Sequence, residues 1–175
     1  TVNVIQSDQA NAFALPGGKM AVYTGLVPVA KNQDGMAAVM GHEIAHALMR
    51  HGAQRMARGK LEQIGQMAGA AGGMDAGTMQ TVMSAYGVTS ALPYARSHET
   101  QADEVGLMLA AAACFDPREA VPLWQRMAHA SGGQSPPEFA STHPSPETRI
   151  QHLESLMPKA LAFREKYCGT ATRAP

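Results

Sequence analysis

Apolar and polar residues alternate along the start of the chain and then shift to a helical period. Val2 to Gln6, Ala12 to Leu15 and Lys19 to Thr24 alternate with period two, which predicts three short strands, the last two punctuated by Pro16-Gly17-Gly18. Gly25 to Ala30 reads as a short helix. Met36 to Met49 is an apolar run with few polar interruptions and reads as a longer one, with Asp34 the expected N-cap and an end near Met56. Met67 to Met83 is rich in glycine, alanine and methionine and reads as a flexible helical hairpin or loop packed over the site. In a functional version it would be a mobile lid.

Further along, Ser97 is the expected N-cap of a helix reaching Leu109, and Asp116-Pro117 caps and opens another. Gly132 to Pro137 looks like a loop, and Ser145-Pro146 begins a final helical region that reaches Tyr167. No internal repeat is present. Strands followed by helices give an α+β chain, mostly helical with a small β-sheet.

Composition narrows the function classes. The 175 residues are one domain's worth, enough to bury a core. Fourteen Lys and Arg balance fourteen Asp and Glu, so no basic field invites nucleic acid and no polybasic patch is expected to invite anionic lipid. No apolar run reaches the length that spans a bilayer. Few aromatics and abundant Ala, Gly and Met suit closely packed helices. Cys114 and Cys168 are either a disulfide tying the C-terminal tail to a helix end or two free thiols; two cysteines alone decide neither.

The chemistry concentrates in His42-Glu43-Ile44-Ala45-His46. On a helix, residues four apart share a face, so the two imidazoles converge on one point. Two neutral imidazoles at that spacing suit Zn²⁺, and the carboxylate between them lies close enough to act on a metal-activated water. A catalytic site needs one more protein ligand and an open position. Glu99 and Asp103, also four apart, supply a second acidic face. In this reading Glu99 is the third ligand, and Asp103 accepts a hydrogen bond from the outer nitrogen of a ligand histidine. The plain alternative for Glu99, Asp103 and Glu104 is a set of solvated surface charges.

His42-Glu43-Ile44-Ala45-His46 followed by Glu99-Thr100-Gln101-Ala102-Asp103 resembles the HExxH plus ExxxD signature of the gluzincin metallopeptidases. More narrowly, it resembles the CAAX prenyl protease/HtpX group and its periplasmic and mitochondrial quality-control relatives. Asn11 to Gly18 is similar to the strand-turn element before that family's zinc helix. Arg96-Ser97 leads into the glutamate helix as in the family, with His98 where a second basic residue is often found. Ser141-Thr142-His143-Pro144-Ser145-Pro146-Glu147-Thr148-Arg149-Ile150 is similar to its late HP…R segment.

The resemblance implies a zincin-like α+β fold with an HExxH active-site helix, and residues 1–175 as a single catalytic domain excised from a longer precursor. It implies one Zn²⁺ per chain and peptide-bond hydrolysis in unfolded or misassembled proteins, with Glu43 as general base. His143 would stabilise the oxyanion or cap the metal in a resting state. Arg149 would orient the acidic side chains or bind substrate, the alternative being a surface or core-edge arginine. Asn11, Ala12, Phe13 and Ala14 would form an edge strand that pairs with extended substrate through main-chain bonds. Polypeptides, not nucleic acid, would be the partners, with envelope or membrane-associated proteins among them. A bacterial periplasm or cell envelope would be the setting, and there a Cys114–Cys168 disulfide is the more attractive reading. The rival class is a catalytically silent zinc domain acting as a chaperone; hydrolysis of a non-peptide bond is a third. His51, His98, His129 and His152 are not expected among the ligands: His51 points off the ligand face of a continuous helix, and His98 faces about a hundred degrees from Glu99.

Overall fold

The computed structural model describes residues 1–15, 17–130 and 147–169. β1 (Val2–Ile5), β2 (Ala12–Leu15) and β3 (Lys19–Tyr23) form one sheet in the order β1-β3-β2. β1 runs parallel to β3 with Val2 opposite Met20, and β2 runs antiparallel to it with Phe13 opposite Ala21. Gly17 and Gly18, both at positive φ, make the turn between β2 and β3, where a side chain would be strained. This order leaves one side of β2 unpaired, and α2 packs against that strand.

The helices are α1 (Leu26–Ala30), α2 (Gln33–Leu48), α3 (His51–Ala71), α4 (Ala76–Tyr86), α5 (Leu92–Ala112), α6 (Ala120–Ala130) and α7 (Glu147–Cys168). α2 and α5 cross in the middle of the molecule, with α7 against α5 and α6 against α2. Leu26, Val39, Leu107, Leu123, Trp124 and Leu153 form the centre of the core, each at least nine-tenths buried. No helix among the described residues is long and apolar enough to cross a membrane.

Three boundaries differ from the expectation. Asn32, not Asp34, caps α2, its side-chain oxygen accepting from the Gly35 N–H at 2.8 Å. Asp34 instead accepts from the Asp116 N–H at 2.8 Å, tying α2 to the turn before α6. α2 stops at Leu48 rather than near Met56, because Arg50 takes a left-handed conformation (φ 57°) and a new helix starts at His51. Ser97 lies inside α5, which runs on from α4 through one wide turn at Gly87–Ala91. Its hydroxyl donates to the Tyr94 carbonyl, three residues back, at 2.8 Å, so it completes a helix interior instead of starting one. The Met67–Met83 stretch is helical on both sides of a Gly72-Gly73 turn, with Asp75 capping α4 through the Thr78 N–H. The loop expected at Gly132 to Pro137 lies outside the described residues. The last helix is described from Glu147 and ends at Cys168. Cys114 and Cys168 form a disulfide with Cα atoms 5.6 Å apart, which settles the choice their spacing left open.

Candidate metal centre and active site

Two glycines allow α2 and α5 to meet. Gly41 and Gly106 face each other where the helices cross, and backbone touches backbone there. The crossing lets two faces with four-residue spacing oppose one another: His42 and His46 on α2, Glu99 and Asp103 on α5. All four side chains are buried.

His42 Nε2 lies 3.0 Å from His46 Nε2. Glu99 reaches both rings, Oε2 at 3.3 Å from His42 Nε2 and Oε1 at 3.3 Å from His46 Nε2. Tetrahedral zinc with bonds of about 2.0–2.1 Å holds its donors about 3.3 Å apart, so these separations fit the edges of its coordination shell. The donor chemistry fits as well: two imidazoles and one carboxylate are the ligands of a catalytic zinc that keeps a fourth position open.

The outer nitrogens are also occupied. His42 Nδ1 lies 2.9 Å from Asp103 Oδ1, and Arg149 donates to the same oxygen. Arg149 Nη2 is 2.9 Å from His42 Nδ1. Two donors do not bond each other, so that approach follows from their shared acceptor. The guanidinium lies over the Trp124 ring, 3.4 Å from its centroid, which holds the cation in a buried site. Burial opposes ionisation of Asp103, but the Arg149 charge and the His42 hydrogen bond hold its carboxyl below the usual carboxylate range. Burial and Arg149 also oppose a charged His42, yet its hydrogen bonds to Asp103 and Glu99 outweigh them and raise its pKa. Arg149 thus sits inside the site rather than at a surface or core edge.

Glu43 is almost fully buried beside the histidine pair. Burial pushes its carboxyl above the ordinary range, against the pull of His42 and His46 and a hydrogen bond from the Ala14 backbone. The sheet thus adjoins the site through the main chain of Ala14. The Tyr23 N–H donates to the Asn11 carbonyl at 2.9 Å, and in an antiparallel pair bonded residues alternate with unbonded ones. Asn11 and Phe13 therefore turn their main chain to β3, whereas Ala12 and Ala14 turn theirs outward. Of the four residues expected to meet substrate, only Ala14 turns a partly exposed main chain outward; Asn11 and Ala12 are buried, and Phe13 packs edge-on against Tyr23. A cleft of about 430 Å³ opens beside this edge, lined by Ala14, Leu15, the Gly17-Gly18 turn, His46 and Arg50.

Sequence reasoning missed His51. The break at Arg50 swings it back, and its Nδ1 lies 2.9 Å from His46 Nδ1 while its Nε2 lies 3.2 Å from Gln101 Oε1. It is fully buried and stacks on His98, with ring centroids 4.0 Å apart. Burial lowers the pKa of both rings, that of His98 to about 4 with help from His51 and Arg55. Neither ring joins the three-donor cluster, nor do His129 and His152. His143 lies outside the described residues.

A helical fold with one small sheet, a three-donor site whose chemistry fits zinc and a buried glutamate beside it are the features of a zincin-like metallopeptidase domain. Comparison with known proteins agrees. The chain belongs to Peptidase family M48, whose pattern matches residues 1–157, and the metal of that family is zinc. It is 41% identical over 165 residues to the mitochondrial metalloendopeptidase OMA1 of Schizosaccharomyces pombe, covering 94% of this chain and 48% of that protein. It is 35% identical over 177 residues to the human mitochondrial metalloendopeptidase OMA1, covering 94% and 33%. A putative beta-barrel assembly-enhancing protease of Vibrio cholerae is 35% identical over 159 residues, covering 86% and 33%. The chain thus spans about half the length of the first relative and a third of the other two.

Proposed function

We propose that this chain hydrolyses peptide bonds in unfolded or misassembled proteins, with His42, His46 and Glu99 as the zinc ligands and Glu43 as the general base. The observation that carries this reading is the His42, His46 and Glu99 donor cluster with Glu43 buried beside it, next to a cleft that Ala14 and His46 line along the side of β2 left unpaired among the described residues. An extended polypeptide added to that edge brings its own carbonyls past the site, and main-chain pairing imposes little sequence preference. Zinc, when bound, supplies Lewis acidity that lowers the pKa of water towards about 7 and polarises a carbonyl. Glu43 takes the proton from the attacking water and returns it to the amine nitrogen as the carbon–nitrogen bond breaks. Its raised pKa brings it closer to the working range of a proton carrier. Asp103, held by Arg149, fixes the ring of His42 so that Nε2 keeps its lone pair for the metal.

Within the family we favour the periplasmic quality-control type and an envelope setting. The Vibrio cholerae relative's name and the Cys114–Cys168 disulfide, which persists in oxidising compartments, support that choice. The mitochondrial relatives, named metalloendopeptidases, support peptide-bond hydrolysis but come from a different compartment. The chaperone reading is the rival, and Glu43 separates the two. Glu43→Gln is expected to keep zinc and lose digestion of unfolded casein. Wild-type digestion by that variant would remove the mechanism, and zinc without digestion in the wild type would favour the rival.

A further inference from the structure

We propose that the α3–α4 hairpin docks on an anionic lipid bilayer. Among the residues of α3 and α4 only His51 is buried, and none belongs to the core cluster, so the hairpin is an arm rooted at the active site. Between Glu62 and Arg96 the chain carries a single charge, Asp75. Large apolar side chains are bare along the arm: Met56 is 60% exposed, Leu61 69%, Ile64 61% and Met67 68%. The charges gather at its root instead, with Arg50, Arg55, Lys60 and Arg96 exposed there. Arg58 donates to the Tyr86 hydroxyl at 2.7 Å and lies 4.5 Å over the Tyr94 ring, so tyrosines and cations share one level. Apolar flanks whose one charge is Asp75 at the turn, above a collar of arginine, lysine and tyrosine, complement acyl chains beneath negatively charged headgroups.

A groove of about 290 Å³ does run between the two helices, lined by Leu61, Gly65, Met74, Met79, Val82 and Met83. A polypeptide seat would confine the apolar surface to that concavity. Met56, Ile64 and Met67 lie outside it, and a bilayer accounts for them. The balanced charge of the whole chain conceals this local segregation.

The test is flotation of the chain with vesicles of phosphatidylcholine containing about one-third phosphatidylglycerol, against phosphatidylcholine alone. Binding is expected only to the anionic vesicles, weakened by salt and reduced about fivefold by each of Arg55→Gln and Lys60→Gln. The double substitution Ile64→Glu with Met67→Glu should abolish it while leaving the unfolding midpoint unchanged, since both side chains are exposed. No flotation, or flotation indifferent to the two glutamates, overturns the proposal. So does an outcome in which those glutamates weaken casein binding and leave vesicle binding intact, which would make the groove a polypeptide seat.

A separate observation carries a second inference: we infer that His51 is a positioning residue for the metal site. With His46 Nε2 turned to the other donors, His46 Nδ1 carries the proton and donates to His51 Nδ1. His51 Nε2–H then donates to Gln101 Oε1, so the relay is satisfied with no charge and ends on the helix that carries Glu99. The two imidazoles are thereby held differently, His42 by an anion and His46 by a neutral ring. His51→Leu removes the acceptor and should weaken zinc binding, measured by chelator competition, about 10- to 100-fold and shift the visible bands of the cobalt-substituted protein. His51→Asn, which keeps an acceptor near the Nδ1 position, should restore both. Unchanged zinc affinity in the leucine variant, or an asparagine variant that folds and binds zinc no better, overturns it.

Discussion

Gly106 faces His42 so closely that a Cβ built on it would lie 2.6 Å from the His42 backbone nitrogen and 2.7 Å from the Gly41 carbonyl carbon. Both neighbours are backbone, so neither can rotate away. Gly106→Ala must therefore push α5 off α2 and carry Glu99 away from the histidine pair. We expect a loss of about 1–3 kcal/mol in stability, with a drop in zinc affinity, read by denaturant unfolding and chelator competition. Gly59, on the exposed α3, has nothing within reach of an added Cβ. Gly59→Ala should instead stabilise by up to about 1 kcal/mol and leave zinc affinity alone. Equal effects at the two sites would mean that the crossing does not set the site.

The site's buried charges predict that two substitutions are not additive. Asp103→Asn keeps the size but leaves the Arg149 guanidinium facing a neutral amide in a buried pocket. Removing one partner of a buried ion pair costs about 3–5 kcal/mol. Arg149→Met removes the cation from its seat on Trp124 and leaves Asp103 with His42 alone. We expect both to weaken zinc binding about 10- to 100-fold through a misoriented His42. The double variant should be less destabilised than the sum of the two. Strict additivity of unfolding free energies would show that the pair does not act as a unit.

Much of this site was legible because helices repeat. His42 with His46, and Glu99 with Asp103, sit at four-residue spacing, and helical geometry alone puts each pair on one face. What the spacing could not supply is the crossing that opposes the two faces, set by Gly41 and Gly106 across a long stretch of chain. His51 escaped for another reason. Arg50 adopts a left-handed conformation without glycine or asparagine to announce it, so extrapolating α2 aimed His51 away. Ser97 carried a capping signal that tertiary context overrode, and Asn32, two residues earlier in the chain, took the cap expected of Asp34. The three strands were legible from alternation, but only the pairing order shows which side of β2 is free.

That free side yields a prediction for substrate binding. Ala14 turns its main-chain N–H outward on the side of Glu43, whose pKa it helps to lower, and the residue is only partly buried. Ala14→Pro deletes the donor at an edge position, where the sheet loses no ladder bond to β3. The Glu43 carboxylate then loses a hydrogen bond to its charged form, so its pKa should rise further. The acid limb of the pH–rate profile should move to higher pH, and KM for an extended peptide should rise. Ala14→Ser keeps the N–H and should behave as wild type. A proline variant with unaltered KM and pH profile would detach the strand edge from catalysis.

The disulfide predicts a separation between stability and metal binding. Cys114 lies just past the end of α5, and Cys168 closes the last turn of α7, so the bond fastens the far ends of the two helices. Arg149 stands in the first turn of α7, 19 residues before Cys168, or about 28 Å along a straight helix. Paired substitution of both cysteines by serine releases a long loop in the unfolded state and should cost about 2–4 kcal/mol. The ligand geometry is fixed at the other end, by the Gly41–Gly106 crossing and the Asp103–Arg149 contact. Zinc affinity of the folded variant should then stay within a few-fold of wild type, and thiol reductant should lower the unfolding midpoint of the wild type but not of the variant. A variant that folds normally yet loses zinc would show that the tail, rather than the crossing, holds Arg149 in place.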